Sequence, residues 1–206
     1  MFYRRYGKRC FDFLTAALLL VILSPVFLAL SLLVWASMGW PVLFAQQRPG
    51  REGRIFILRK FRTMTDARDS QGRLLPDEQR VTALGRFLRS TSLDELPELW
   101  NVLRGEMSLV GPRPLLPRYT PYFRPEERKR FQVLPGITGL AQISGRNNLG
   151  WDERFAADVQ YVEQLSASLD ARILLLTALN VIRRANVQAV PSLTLPDLDK
   201  ERKAAE

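Results

Sequence analysis

A chain of 206 residues, 47% of them hydrophobic, is long enough for one folded domain and an appendage. Its net charge of +9 draws it toward something anionic, whether nucleic acid, a phospholipid surface or phosphorylated substrates. Histidine is absent, which excludes Ser-His-Asp and Cys-His catalysis and His-containing zinc sites, and leaves an acid, Lys, Arg, Tyr, Ser or a metal as the catalyst.

Cys10 is the single cysteine, so no intrachain disulfide can form and a reducing compartment is the simpler reading. From Phe13 to Trp40 there is no charged residue, and Arg4, Arg5, Lys8 and Arg9 precede this run. It is expected to be a membrane segment, too long for a signal core and without a clean cleavage pattern. As one helix it would extend roughly 42 Å against about 30 Å of hydrocarbon. Ser24-Pro25 falls near its middle, where the proline removes a backbone hydrogen bond and the serine hydroxyl can satisfy the freed carbonyl. A kink is expected there. Basic residues flank both ends, with Arg48, Arg51, Arg54, Arg59, Lys60 and Arg62 following, and this disfavours exporting either flank. Charge and proline leave two topologies open, a kinked single span and a re-entrant hairpin.

Residues 42–46 and 54–61 are β-prone and joined by QRPGREG, which predicts a β-hairpin emerging from the membrane. Residues 66–80 read as a polar surface loop. Helices are expected over residues 82–89 and 93–103, the second closed by Gly105. The prolines at 112, 114 and 117 hold Arg113 in extended or turn backbone. A short helix from Pro125 carries Arg128, Lys129 and Arg130, a solvated face that also suits anionic headgroups. LPGITGLAQISGRN is a glycine-punctuated loop containing a short strand and ending near Arg146. Residues 151–165 are helical in pattern and include Asp158. DARILLLTALNVIRR has apolar positions on more than one face, so it fits a core helix or one lying in the membrane interface. Beyond about Asn186 a frayed tail is expected, in which the Asp197-x-Asp199 pair is incidental.

The segment STSLDELPELW places two acids side by side. Ser92 and Glu95 fit a capping box, but Pro97 would then lie one position beyond the amides that lack an intrahelical partner. A helix start near Asp94 suits Pro97 better, and it sets the carboxylates against the positive end of the helix, where they stay ionised. An aspartate can also attack phosphorus, arginines match phosphate oxygens, and Mg²⁺ is held by one or two carboxylates together with substrate phosphates. Each part has a plainer reading: Arg113 and Arg146 fit equally well as ion-paired loop residues.

KFRTM, RSTSLDELPELWNVLRGEMSLVGPRPLLPRY, LPGITGLAQISGRN and the late SLDARILLLT, behind a basic N-terminus and one apolar segment with Ser-Pro, resemble the monotopic phosphoglycosyl transferases among bacterial sugar transferases. The likeness runs from about Arg4 to Val187 and is to the small, single-domain members, since no multi-span module precedes the apolar segment.

That resemblance implies transfer of a sugar 1-phosphate from a UDP-sugar to undecaprenyl or another polyprenyl phosphate, with release of UMP, at the cytoplasmic face of the bacterial plasma membrane. Asp94 would be the nucleophile and Glu95 its dyad partner, both near Mg²⁺. Lys60, Arg62, Arg89, Arg113 and Arg146 would contact phosphate or nucleotide, with Asp158 at the metal or sugar end. Ser24 and Pro25 would mark re-entry. The donor closest by likeness is UDP-diacetylbacillosamine, with UDP-GlcNAc, UDP-GalNAc and galactose-type donors as alternatives.

The expected fold is α+β and mostly helical. It comprises a basic N-terminus and re-entrant membrane helix (1–40), a cytoplasmic catalytic domain (41–187) with a short β-hairpin and interfacial amphipathic helices, and a flexible tail (188–206). A membrane-anchored basic scaffold is the rival reading. No nucleic-acid reader motif is recognisable, so no nucleic-acid partner is expected, and a homodimer is left open.

Overall fold

The computed structural model describes residues 2–145, 149–182 and 196–203. Helices α1 (Lys8–Ile22) and α2 (Ser24–Met38) are divided by Leu23, and the two limbs meet at 64°. Pro25 has no amide to offer Val21 O, and Ser24 Oγ donates to that carbonyl at 2.8 Å instead. The expected kink is therefore present, with the expected compensation. No single helix among the described residues is long and apolar enough to cross a membrane. Leu14, Leu18, Val21 and Ile22 on α1, and Leu28, Leu32 and Trp35 on α2, face outward and are each more than half exposed.

The basic N-terminus does more than flank this hairpin. Lys8 Nζ lies 2.6 Å from Asp170, whose carboxylate also accepts from Tyr3 OH at 2.6 Å and Tyr161 OH at 2.8 Å. Asp12 accepts from the Leu109 amide at 3.1 Å. Arg9 donates to Val102 O and Leu103 O at 2.6 and 2.8 Å. Breaking such buried pairs costs several kcal/mol, about 3–5 per pair. Ala16 joins Phe56, Leu99, Val102, Val110 and Ile173 in the main apolar cluster. The first half of α1 thus belongs to the same packing unit as the domain after it.

Strands β1 (Leu43–Pro49) and β2 (Ile55–Phe61) form the expected antiparallel hairpin, its turn shorter than read because β1 runs on to Pro49. Residues 66–80 are largely irregular but end in a short helix, α3 (Asp77–Arg80). Helix α4 (Ala83–Thr91) is capped by Thr82 Oγ1, which accepts from the Gly85 amide at 2.9 Å.

The helix expected over 93–103 is split. Pro97 lacks the amide that would bond Leu93 O, so Leu96 N takes that carbonyl at 3.4 Å and residues Leu93–Glu95 tighten into a 3₁₀ turn. Helix α5 begins only at Glu98 and runs to Arg104, and Gly105 closes it at φ 79°, a left-handed position suited to glycine.

A second small sheet was not foreseen. Strands β3 (Ser108–Val110) and β4 (Gly136–Thr138) pair in parallel, joined by a crossover that holds 3₁₀ turns at Pro117–Tyr122 and Glu127–Gln132. Helices α6 (Leu140–Ser144), α7 (Trp151–Gln164), α8 (Ala167–Ile182) and α9 (Leu198–Lys203) complete the chain. The protein is mostly helical with two small sheets. Helix α8 buries Ile173 in the core and leaves Leu175 and Leu179 outward. Residues 196–203, expected to fray, instead pack with Leu198 fully buried against Tyr119, Phe123, Trp151 and Phe155. Asp197 accepts from Tyr119 OH at 2.5 Å and pairs with Arg118 at 2.8 Å, so the Asp-x-Asp pair, read as incidental, has a structural use.

Candidate active site

Asn101 aligns two elements at the site. Its side chain, fully buried on α5, donates to Ile57 O at 2.7 Å and accepts from the Arg59 amide at 3.2 Å, which ties α5 to the edge of β2. Lys60, the next residue on β2, thereby meets the acids that precede α5. Its Nζ lies 2.6 Å from Glu95 Oε1 and 3.0 Å from Glu98 Oε1. Arg113, on the proline-held stretch after β3, donates to the same Glu95 oxygen at 2.5 Å.

Asp94 and Glu95 occupy the 3₁₀ turn, displayed by Ser92 in a left-handed conformation at φ 58°. Asp94 is 9% exposed and Glu98 2%. Burial pushes the Glu95 carboxyl up, but Arg113 and Lys60 outweigh it and hold Glu95 well below the usual carboxylate range. Burial and then the Glu95 charge push Asp94 up, against the pull of Lys60, Arg113 and Arg89. The field that orders these acids comes from side-chain cations, not from the helix end proposed on sequence grounds, since the α-helix starts three residues beyond Glu95. Glu98, which the sequence reading passed over, is raised to about 7 by burial, with Lys60 opposing.

The other candidates divide. Arg89 Nε donates to Thr63 Oγ1 at 3.0 Å, and its charge reaches Asp94. Arg62 is turned elsewhere: it donates to Pro41 O at 3.0 Å and pairs with Asp66 at 3.0 Å, fastening the end of α2 to the hairpin. Asp158 is held by Arg130 at 2.9 Å within the core, and burial raises it to about 6 despite that partner. Arg130 also donates to Arg113 O at 2.6 Å, so Asp158 supports the Arg113 backbone at one remove. Arg130 is therefore buried and paired, whereas the 128–130 run was read as a solvated or headgroup-facing surface. Arg146 lies outside the described residues.

Two further arginines lie in the field of Arg113. Arg48 donates to Gln46 Oε1 at 2.6 Å, and burial together with Arg113 lowers it to about 10. Arg154 is lowered by burial and then by Arg113. The only sequence signal for Arg48 was its place in a basic turn, and Arg154 gave none.

An acid dyad clamped by a lysine and an arginine, with further guanidinium groups crowded nearby, is built for chemistry on an anionic, phosphate-bearing compound. The chain matches the bacterial sugar transferase family over residues 3–184 and belongs to it. It is 49% identical over 187 residues to the sugar transferase EpsL of Bacillus subtilis (strain 168), covering 91% of this chain and 93% of that one. It is 39% identical to the undecaprenyl-phosphate galactose phosphotransferase of Salmonella typhimurium, with 87% of this chain aligned to 41% of that protein. A UDP-glucose:undecaprenyl-phosphate glucose-1-phosphate transferase of Caulobacter vibrioides is also 39% identical, over 87% of this chain and 71% of its own length. The chain thus spans about two fifths of the Salmonella relative.

Proposed function

We propose that this protein transfers a sugar 1-phosphate from a UDP-sugar to undecaprenyl or another polyprenyl phosphate, releasing UMP. The observation that carries the reading is the Asp94–Glu95 turn, pinned through Glu95 by Lys60 and Arg113. An Asp94 oxygen attacks the phosphorus that bears the sugar, and the bond from that phosphorus to the bridging oxygen breaks as UMP leaves. An oxygen of the polyprenyl phosphate then attacks the same phosphorus, and the Asp94 carboxylate departs. Lys60 and Arg113 hold Glu95 and offer positive charge where the transferring phosphate gathers negative charge.

Among the described residues no group of three or more Cys, Asp or Glu side chains forms a self-sufficient metal cage. The acid pair nevertheless suits the usual mode of Mg²⁺, one or two carboxylates plus phosphates of the substrate, with Asp94 and Glu95 as its protein ligands. When bound there, the ion would neutralise phosphate charge.

The outward apolar faces of α1 and α2 and their 64° bend support a re-entrant hairpin, which keeps both basic flanks and the catalytic domain on the cytoplasmic face. For the donor, two of the relatives named above, from Salmonella and Caulobacter, carry galactose and UDP-glucose in their names, so these hexoses are tried before diacetylbacillosamine, GlcNAc and GalNAc. Incubation of the full chain in lipid nanodiscs with polyprenyl phosphate, Mg²⁺ and each UDP-sugar tests reaction class and donor together. UMP release that requires both lipid phosphate and one donor is expected. Silence on every donor, with tight salt-sensitive RNA binding, would replace this reading with the scaffold.

A further inference from the structure

Residues 196–203 lie beyond the stretch matched by the family, which ends at residue 184, yet they pack onto the part of the fold that carries Arg154. Arg202 is the bolt. Its guanidinium reaches both oxygens of the buried Glu127 at 2.6 and 2.7 Å, Asp152 on the first turn of α7 at 3.0 Å, and Tyr122 O. Pro196 O accepts from Trp151 Nε1 at 3.0 Å, and Leu198 is buried in the same apolar cluster as that ring. The segment therefore holds the first two residues of α7 from two directions.

Trp151 in turn carries Arg154, whose guanidinium lies 5.3 Å from the centre of the indole ring while its Nε donates to Leu149 O at 3.0 Å. Arg154 forms no carboxylate ion pair among the described residues; it lies one helical turn before Asp158 on α7, and Asp158 reaches the Arg113 backbone through Arg130, which donates to Arg113 O at 2.6 Å. Arg113 already has Glu95 as its anion, whereas Arg154 has no directly bonded carboxylate, so a phosphate group is a partner that its free donors fit.

We propose that the C-terminal segment 196–203 is a positioning element for donor binding: by fixing Trp151 and Asp152 it sets Arg154 beside Arg113 to receive the pyrophosphate of a sugar nucleotide. The proposal rests on the transferase reading for its ligand. Trp151, Asp152 and Arg202 are positioning residues, and Arg154 is the group that meets the donor. The element acts on the donor side, through its contacts with Tyr122, Glu127, Trp151 and Asp152.

The test is steady-state UMP release by the full chain in nanodiscs, with donor and acceptor varied separately. The parent is compared with Arg202→Ala, Arg202→Lys, Trp151→Phe and a chain lacking residues 196–206. Arg202→Ala and the shortened chain are expected to raise the donor KM about tenfold with kcat and acceptor KM within about twofold. Arg202→Lys, keeping one charge but not the bidentate grip, is expected to fall between parent and Arg202→Ala. Trp151→Phe keeps an aromatic ring beneath Arg154 while removing the N–H that bonds Pro196 O and part of the ring's packing, so it reads the contact even where the shortened chain fails to fold. Unchanged donor KM in Arg202→Ala and Trp151→Phe, or a fall in kcat with both KM values and the unfolding temperature moving together, would overturn the proposal. If the parent releases no UMP from any donor, the transferase reading has failed instead. Hydrogen exchange then decides the positioning role: faster exchange at residues 149–154 in Arg202→Ala, with α1 and α5 unchanged, upholds it, and no difference there refutes it.

Discussion

Arg113 and Lys60 donate to one and the same oxygen of Glu95, at 2.5 and 2.6 Å, from elements 53 positions apart in the chain. Lys60 stands on a strand and Arg113 on a proline-stiffened loop, so Glu95 is the point at which hairpin, dyad turn and loop are brought into register. Glu95→Gln keeps the shape and removes the charge that both cations face. It is expected to lower kcat for UMP release about 100-fold, the scale of losing one preorganised electrostatic contact. The same variant should also unfold at a lower temperature, since Arg113 is left without its anion and Lys60 keeps only Glu98.

Covalent catalysis makes a separate claim about Asp94. UDP-sugar labelled in the sugar, supplied without acceptor, is expected to leave label on the protein and on the peptide holding Asp94, as seen by mass spectrometry. Asp94→Asn should abolish both label and turnover. Label that survives this change would assign the nucleophile to another residue.

Gly85 shows how closely α4 lies on the KFRTM strand end. A Cβ at this position would sit 1.9 Å from Thr63 O, a backbone atom with no freedom to yield. Gly85→Ala is therefore expected to push α4 away from residue 63 and destabilise the protein by about 1–3 kcal/mol, the usual range for overpacking. Because Arg89 on α4 bonds the Thr63 hydroxyl, turnover should fall as well. Chemical denaturation and UMP release, measured on the same preparation, check both halves.

Glu98 has an ordinary value of 4.5 and is raised to about 7 in the fold, chiefly by burial. Between those values the native state holds a proton that the unfolded chain has lost, so stability falls as pH rises through this window. Glu98→Gln cannot titrate and is expected to flatten that part of the stability profile, with its largest gain over the parent above pH 7. A steeper loss of stability in Glu98→Gln than in the parent would show that the charged form is the favoured one.

The bend at Leu23 makes a prediction about topology. Pro25→Ala restores an amide able to bond Val21 O, and α1 and α2 are expected to move toward one continuous helix. Cysteines placed one at a time at Tyr3 and Trp40, in a Cys10→Ser background, should be labelled by an impermeant reagent from the same side in the parent. In Pro25→Ala the two positions are expected to part to opposite sides. Opposite-side labelling in the parent would refute re-entry.

Much of this molecule is written in local chemistry. Ser24-Pro25 announces the helix break and supplies the hydroxyl that mends it, and QRPGREG between β-prone runs announces the hairpin. Gly105 closes α5 where a left-handed residue was needed. Pro97 carried more than was read from it: the same missing amide that argued for moving the helix start toward Asp94 moves it past Glu95, and the acids stand on a tighter turn outside the α-helix.

What local pattern could not carry was partnership at long range. Lys8 and Arg9 look like flanking charges until Asp170 and the end of α5 close around them. Arg62 and Arg113 are alike as arginines inside family motifs, yet one holds the end of α2 and the other faces the dyad. The parallel pairing of β3 with β4 spans a long crossover, and neither strand exceeds three residues, too short for a period to register. The sequence by itself determined the acid pair, the missing histidine, the broken apolar segment and, through its ordered motifs, the family. Only the tertiary structure decided which cations serve Glu95, which acid burial pushes up beside them, and that the end of the chain returns to hold α7. These follow from packing between distant segments, where burial and charge act across space and leave no spacing in the sequence to read.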